Sequence, residues 1–384
     1  MPTFAETTTD VLTAEGMRDA LARLDKEKQL AVDVEADSMH AFRARLCFVQ
    51  VGTDDDVFVF DTLAPDVEAR ALAGLFGDPE RTKIFHAAGG DLQFLAEQGI
   101  RVKGLFDTHR AATLLGWQKV GLADLARDRL GIELAKEHQQ SDFSIRPLPE
   151  GMHQYIANDV RYLCEIGRQV REECLKADIL EEVELDCLRL ADEAAARPDI
   201  GTDFKLKLPK HQMKPQEYAL GLALAERLHA LRLRAAEEAN VPMGRMLSNA
   251  AVTAIATRPP SNLRELAKAQ GVRGPFVREH GEEVLGLIRE LIEKVRNGEL
   301  KVETDDRGQR DPGRRKRAEE LKIFRSAKAN ERKVTPSVVL PNPVLEELAA
   351  HPPQSLEELA QVPYLGEKRV RLYGAELLHL LQAG

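Results

Sequence analysis

Asp33 and Glu35, in the segment AVDVEAD, are the first residues whose type and spacing suggest chemistry. In a strand, residues two apart point to one face, so the two carboxylates share a side while Val32 and Val34 take the other. An apolar strand with two charges on one face needs compensation, because a buried unpaired carboxylate is costly. A hard cation with oxygen ligands would provide it; two solvated acids at an exposed strand end fit the same residues. Asp91 follows in FHAAGGDLQFL, just after Gly89-Gly90, where a strand hands over to a helix. Asp is also common at such a place as a helix N-cap. Tyr155 and Asp159, in QYIANDVRYL, are an i, i+4 pair on one helix face, a pattern that a surface Asp beside a core Tyr also produces. The joint order D-x-E, D, Y-x-x-x-D, at intervals of about 55 and 65 residues, fits elements that meet at one end of a sheet.

The elements that would carry these side chains are legible as periodicities. QLAVDVEAD (29–37), ARLCFVQVG (44–52) and DDVFVFDTL (55–63) are β-rich runs separated by short polar or turn-prone segments, which predicts an antiparallel meander. TKIFHAA (82–88) predicts a fourth strand, followed by the amphipathic helix DLQFLAEQG. From Asp107 onward the apolar period is helical, through THRAATLLG, GLADLARDRLG and the long run MHQYIANDVRYLCEIGRQVREECLKA. A mixed sheet followed by packed helices is an α/β layer architecture. Around residues 198–216 three prolines and several lysines break the pattern and read as a linker.

Everything beyond is helical and duplicated. At an offset of 93 residues Pro259-Pro260 falls on Pro352-Pro353, and Leu263, Glu265, Leu266 and Ala267 fall on Leu356, Glu358, Leu359 and Ala360. Val277-Arg278, Gly281, Glu283 and Leu285 likewise meet Val370-Arg371, Gly374, Glu376 and Leu378. Helical periodicity alone aligns leucines, but not the Pro-Pro, the Gly and the Glu together, so this is a repeated helical domain. Between the copies, KVETDDRGQRDPGRRKR (301–317) reads as an extended linker. Its basic end, Arg314, Arg315, Lys316 and Arg317, could contact phosphates or form a solvated helix start.

The 384 residues carry 54 Lys+Arg and 63 Asp+Glu, a formal charge of −9. That balance divides unevenly: residues 1–200 hold 23 basic and 38 acidic side chains, and residues 201–384 hold 31 and 25. An acidic front and a basic back suggest two tasks on one chain. No apolar run approaches the roughly 18 residues of a membrane span, and MPTFAETTTD has neither the basic nor the apolar region of a secretory signal. Four cysteines without a C-x-x-C pair fit a reducing cytosol, so a cytoplasmic protein is expected. No G-x-x-x-x-G-K-[ST] loop occurs, which argues against a helicase and against a nucleotide cofactor. With 5% aromatic residues, nucleic-acid binding would rest on charge more than on stacking.

The acidic motifs resemble those of the DEDD exonucleases, and more narrowly of ribonuclease D: Asp33-Val34-Glu35, then Asp91, then Tyr155 through Asp159. Tyr155 marks the tyrosine branch, since the sister branch carries a His where this chain has Gln154. LGIELAKEHQQSDFSIRPL (130–148) resembles the Lys…Gln…Ser-Asp-Trp…Arg-Pro-Leu segment of ribonuclease D, with Phe143 in place of the Trp. Val34 stands where Thr is frequent and Gly90 where a larger residue is common; neither is a ligand position. The repeats resemble the helicase-and-ribonuclease-D C-terminal (HRDC) domain, and the first copy diverges more, with AQGVRGPF where the second has VPYLGEKR.

The resemblance implies a ribonuclease H-like α/β exonuclease domain, a mixed sheet with flanking helices, over residues 1–200. Two small all-α HRDC-like domains would follow at 214–298 and 314–384. It implies 3′→5′ removal of nucleoside 5′-monophosphates from RNA, with tRNA precursors as substrate, by a monomer that has no membrane partner. Asp33, Glu35, Asp91 and Asp159 would hold two divalent ions, Mg²⁺ or Mn²⁺, because four converging carboxylates repel unless neutralised. Tyr155, with an ordinary pKa of about 10, suits orienting a water better than acting as a base. Lys136, Phe143, Arg146 and Arg314–Arg317 are candidate substrate contacts; Arg146 could equally pin its own loop. A DNA exonuclease and an inactive nucleic-acid-binding scaffold are the alternative functions. His86 reads as a strand-end histidine, Asp107-Thr108 as a helix cap, Gln50 as a partner for a backbone group, and Trp117 as core.

Overall fold

The three meander strands have the expected polarity, but two strands not expected from the sequence flank the sheet. In the computed structural model, which describes residues 4, 7–38, 40–135, 137–196, 204, 206–300 and 312–383, the strands are β1 (Thr7–Val11), β2 (Gln29–Ala36), β3 (Leu46–Gly52), β4 (Asp56–Asp61), β5 (Thr82–Phe85) and β6 (Leu105–Asp107). The sheet order is β1-β4-β3-β2-β5-β6. β2, β3 and β4 pair antiparallel, whereas β1 joins β4, and β5 and β6 follow β2, in parallel. β1 (TTTDV) is polar and β6 (LFD) has three residues, so neither shows a usable alternation.

The helices of this region are α1 (Ala14–Leu24), α2 (Ala73–Gly77), α3 (Gly89–Glu97), α4 (Thr108–Leu114), α5 (Leu122–Leu130), α6 (Glu150–Arg161), α7 (Leu163–Lys176) and α8 (Leu180–Ala195). The long helical run breaks at Tyr162, which separates α6 from α7. Every residue of β3 is buried, as for a central strand covered on both faces. Gly52 at its end lets α6 lie close: a Cβ there would stand 2.7 Å from the Val160 carbonyl oxygen. That approach brings the neighbouring Asp159 down onto the sheet.

Among the described residues, the remaining α-helices form two modules of five. The first contains α9 (Pro215–Glu238), α10 (Met243–Met246), α11 (Asn249–Thr257), α12 (Leu263–Leu266) and α13 (Gly274–Arg296). The second contains α14 (Pro312–Arg332), α15 (Pro336–Val339), α16 (Asn342–Ala350), α17 (Leu356–Ala360) and α18 (Glu367–Ala383). The starts of α10–α13 and α15–α18 are each 93 residues apart, the offset found in the sequence. Packing explains the matched residues. A Cβ on Gly281 would meet Leu263 at 2.6 Å, and one on Gly374 would meet Leu356 at 2.9 Å, so each glycine admits the short helix against the long one. The matched Glu265 and Glu358 each accept the backbone N–H four residues earlier, at 2.8 Å, from the residue just before the helix N-cap. Arg232 and Arg325 bridge the two halves of their modules identically, donating to Leu247 and Asn249 in one and to Leu340 and Asn342 in the other.

The chain divides into two compact units: residues 1–36, 46–197 and 309–384 in one, and residues 37–45 and 198–308 in the other. The second module thus belongs with the sheet. Lys368 is 6% exposed and pairs with the buried Glu182 of α8 at 3.1 Å, while Tyr364 donates to Asp192 at 2.9 Å and Thr335 to the Leu114 carbonyl at 3.0 Å. The expected linker at 198–216 is not free chain where it is described: Leu208 is buried and Phe204 stacks on His229 at 4.1 Å, both on the first module's core. Of the expected linker at 301–317, residues 301–311 lie outside the described residues and the rest begin α14.

Candidate active site

Asp33 and Glu35 lie on β2, whose pairing with β3 shifts register between Glu35 and Ala36. Such irregularities re-aim side chains at the end of a strand. Asp159, on α6, is brought over them, and the three residues have carboxylate oxygens within 4.8 Å of one another. Asp91 is in the first turn of α3 and does not cap it: the cap position is Ala88, which makes no side-chain cap bond. Asp91 stands outside the cluster of three, yet close enough that Asp33 and Asp159 repel its negative charge. Asp33, Glu35 and Asp159 edge a cleft of about 380 Å³ whose walls also include His86, Gln139 and Tyr155, a size within the range of small-ligand sites.

The electrostatics are those of acids without cations. Burial, opposed weakly by the Val34 N–H, pushes Asp33 up to about 7. Burial and then the charges of Asp33, Asp159 and Asp91 push Glu35 up to about 10. Asp91 and Asp159 are held well above the usual carboxylate range, first by burial and then by Asp33. Burial also keeps Tyr155 protonated, and its hydroxyl donates to Asp159 one helical turn on. Among the described residues no basic side chain enters this balance.

Gln50 corrects one expectation and supports another. It is fully buried, and neither atom of its amide has a partner, so it does not satisfy a backbone group. It stands directly across from Asp33 in the β2–β3 ladder, and opposed residues share a face. An orphaned amide beside a crowded set of carboxylates fits a site completed by a hard cation and its bound oxygens. The all-oxygen donor set of Asp33, Glu35 and Asp159 fits the same group.

The turn that delivers Asp91 is fixed by a residue read only as a helix cap. Asp107 is fully buried and caps α4 through the His109 and Arg110 N–H groups at 2.9 and 3.1 Å. It also accepts from Ala87 and Ala88 at 3.1 and 2.9 Å, holding Ala87 at φ 62° between β5 and α3. Nothing in the sequence links positions 87–88 to 107; the contact exists because β5 and β6 are adjacent.

Two candidate substrate contacts are structural instead. Phe143 is 1% exposed and stacks against Tyr155 at 6.3 Å, so it backs the tyrosine and presents no face to a ligand. Arg146 bonds Asp61 through Nε and Nη2 at 2.6 and 2.7 Å, and the carbonyls of Phe143, Ile145 and Cys47 at 2.7, 2.8 and 3.3 Å. Those bonds use all five guanidinium N–H groups and leave none for a phosphate. Lys136 lies outside the described residues. Arg314, Arg315 and Lys316 are exposed on the first turns of α14, whereas Arg317 is half-buried and donates to the Ala349 carbonyl at 2.9 Å. Trp117 is packed on the core, with the Arg129 guanidinium 4.0 Å above its ring.

The fold and the carboxylate cluster define a 3′–5′ exonuclease joined to HRDC modules. A family model described as 3′-5′ exonuclease matches residues 9–174, and the HRDC domain model matches 221–288 and 314–381. A ribonuclease D of Gluconacetobacter diazotrophicus is 30% identical over 96% of this chain and 92% of its own length. One from Granulibacter bethesdensis is 28% identical over 96% and 91%. The crystal structure of RNase D from Escherichia coli, an exoribonuclease involved in structured RNA processing, shares the fold, with a TM-score of 0.66 over 98% of this chain and 99% of that one at 20% identity. The chain belongs to the ribonuclease D family and is a 3′–5′ exoribonuclease.

Proposed function

We propose that Asp33, Glu35, Asp91 and Asp159 hold two divalent cations, Mg²⁺ or Mn²⁺, and that the chain releases nucleoside 5′-monophosphates from the 3′ ends of tRNA precursors. The observation that carries this reading is the cluster of three half-buried carboxylates, within 4.8 Å of one another, to which no basic side chain among the described residues is paired. When bound, divalent ions at such a site lower the pKa of water and stabilise the charge that develops on a phosphoryl group. The chain's own part is to hold the carboxylates rigidly and to keep a proton on Tyr155. Asp33 and Glu35 are fixed by the β2–β3 ladder, and Asp159 by the close contact of α6 at Gly52. Tyr155, backed by Phe143, directs its hydroxyl at the carboxylate of Asp159, from where it can orient an attacking water.

Arg314, Arg315 and Lys316 are proposed phosphate contacts, supported by their exposure and by the positive charge of the C-terminal half. The domain limits 1–200, 214–298 and 314–384, action as a monomer and a cytoplasmic location are parts of the same reading. The last is supported by the burial of all four cysteines. Among the described residues no helix is long and apolar enough to cross a membrane.

The test is degradation of end-labelled RNA with and without Mg²⁺ or Mn²⁺, using wild type, Asp33→Ala and Asp159→Asn. Laddering from the 3′ end should require the ion and both acids; full activity in either variant would overturn the site assignment. Precursor tRNA and unstructured RNA compared in the same assay test the substrate.

A further inference from the structure

His86 lines the cleft beside the carboxylates but is not one of the group whose ligand atoms converge. Its Nδ1 lies 2.9 Å from the Thr108 hydroxyl oxygen, and that hydroxyl lies 3.0 Å from the carbonyl oxygen of Phe85. A threonine hydroxyl has one proton, and the carbonyl can only accept it. The Thr108 oxygen must therefore accept from Nδ1–H, which fixes the tautomer: Nε2 is unprotonated and is the ring atom left for a ligand. Thr108 is fully buried, so this orienting bond is shielded from water. The ring also packs edge-on against His109, with centroids 5.6 Å apart. Burial, and then His109, lowers the His86 pKa to about 3, so the ring stays neutral at any working pH.

The cleft thus offers an uncharged acceptor that lies outside the group of converging carboxylates. Phosphodiester oxygens cannot donate to it. The donors that every RNA 3′ end carries, whatever its base, are the hydroxyls of its terminal ribose. We infer that His86, held by Thr108, accepts a hydrogen bond from a hydroxyl of the 3′-terminal ribose and so reads the sugar of the nucleotide to be removed. This rests on the proposed site being where the 3′ end is cut.

The test uses three oligoribonucleotides alike except at the last residue, which is ribo, 2′-deoxy or 3′-deoxy, with wild type, His86→Ala and Thr108→Val. Loss of one neutral hydrogen bond predicts about a tenfold fall in kcat/KM. His86→Ala should show that fall on the all-ribo substrate and no further fall on the deoxy substrate that lacks its partner hydroxyl. Which of the two deoxy substrates behaves this way identifies the hydroxyl. Thr108→Val, which frees the ring, should show a smaller fall with the same pattern.

Equal losses on all three substrates would mean that His86 acts only on the fold. Equal wild-type kcat/KM on all three would overturn the inference without any variant. Asp33→Asn is run alongside: if it is inactive while His86→Ala shows no substrate dependence, the inference alone fails. If Asp33→Asn is active, the site reading fails.

Discussion

Acids gather at two places in the unit that contains the sheet, buried at one and half-buried at the other, and they are treated in opposite ways. Where the second module meets α8, Glu182 and Asp186 are 1% and 6% exposed, and each finds cations within the chain. Glu182 takes Lys368 at 3.1 Å and Arg332 at 3.6 Å, and Asp186 takes Arg110 and Arg189 at 2.5 and 2.8 Å. In the cleft, Asp33, Glu35, Asp91 and Asp159 have no such partner among the described residues, and their pKa values rise. Buried charge that the chain neutralises itself serves the fold; buried charge left unneutralised is a site awaiting a ligand.

The largest expected effect separates these roles. Asp159→Asn should lower nuclease activity by roughly a thousandfold or more, yet raise the thermal midpoint of the metal-free protein, because it removes a repelling charge. A fall in that midpoint would put the cluster in the same class as the α8 interface. Lys368→Met should do the reverse. It leaves Glu182 without its closest partner and should cost about 3–5 kcal/mol in denaturant unfolding, while RNA cleavage at low temperature persists.

The comparison extends to the two modules. At the position of Lys368 the first module has Pro275, so it lacks the charge that pairs the second module with Glu182 of α8. The internal Arg clamp is common to both, and Arg232→Met and Arg325→Met should each cost about 1–3 kcal/mol. Markedly unequal losses would show that attachment to α8 also carries the second module's internal stability.

The smallest effect is on pH dependence. In the cluster the folded-state values of Asp33 and Glu35 are raised above 3.8 and 4.5 to about 7 and about 10. Folding then favours bound protons, so their contribution to stability is full below the ordinary carboxyl range and is lost as pH rises through 7 toward 10. With chelator present, the thermal midpoint should fall between about pH 5 and about pH 9. Saturating Mg²⁺ should flatten that slope, and an identical slope with and without the ion would contradict cation binding by these groups.

Much of this was written locally. The three β-rich runs and their short separators gave the meander, the i, i+4 spacing gave the shared face of Tyr155 and Asp159, and the 93-residue repeat gave two equal modules. β1 and β6 escaped notice because a polar strand and a three-residue strand are specified by their neighbours, not by their own pattern. Phe143 and Arg146 could not be placed from the sequence for a related reason. Whether an arginine meets a phosphate or Asp61, 85 residues away, depends on which partner the fold places beside it.

The sequence by itself determined which side chains could do chemistry and how the chain is parcelled, because residue type and period act over a few residues. Only the tertiary structure decided which acids are paired and which are not. Glu182 and Lys368 are 186 residues apart, and Ala87 and Asp107 are 20. Burial and long-range neighbours set the energy of a charge, and neither is a property of a short stretch of sequence.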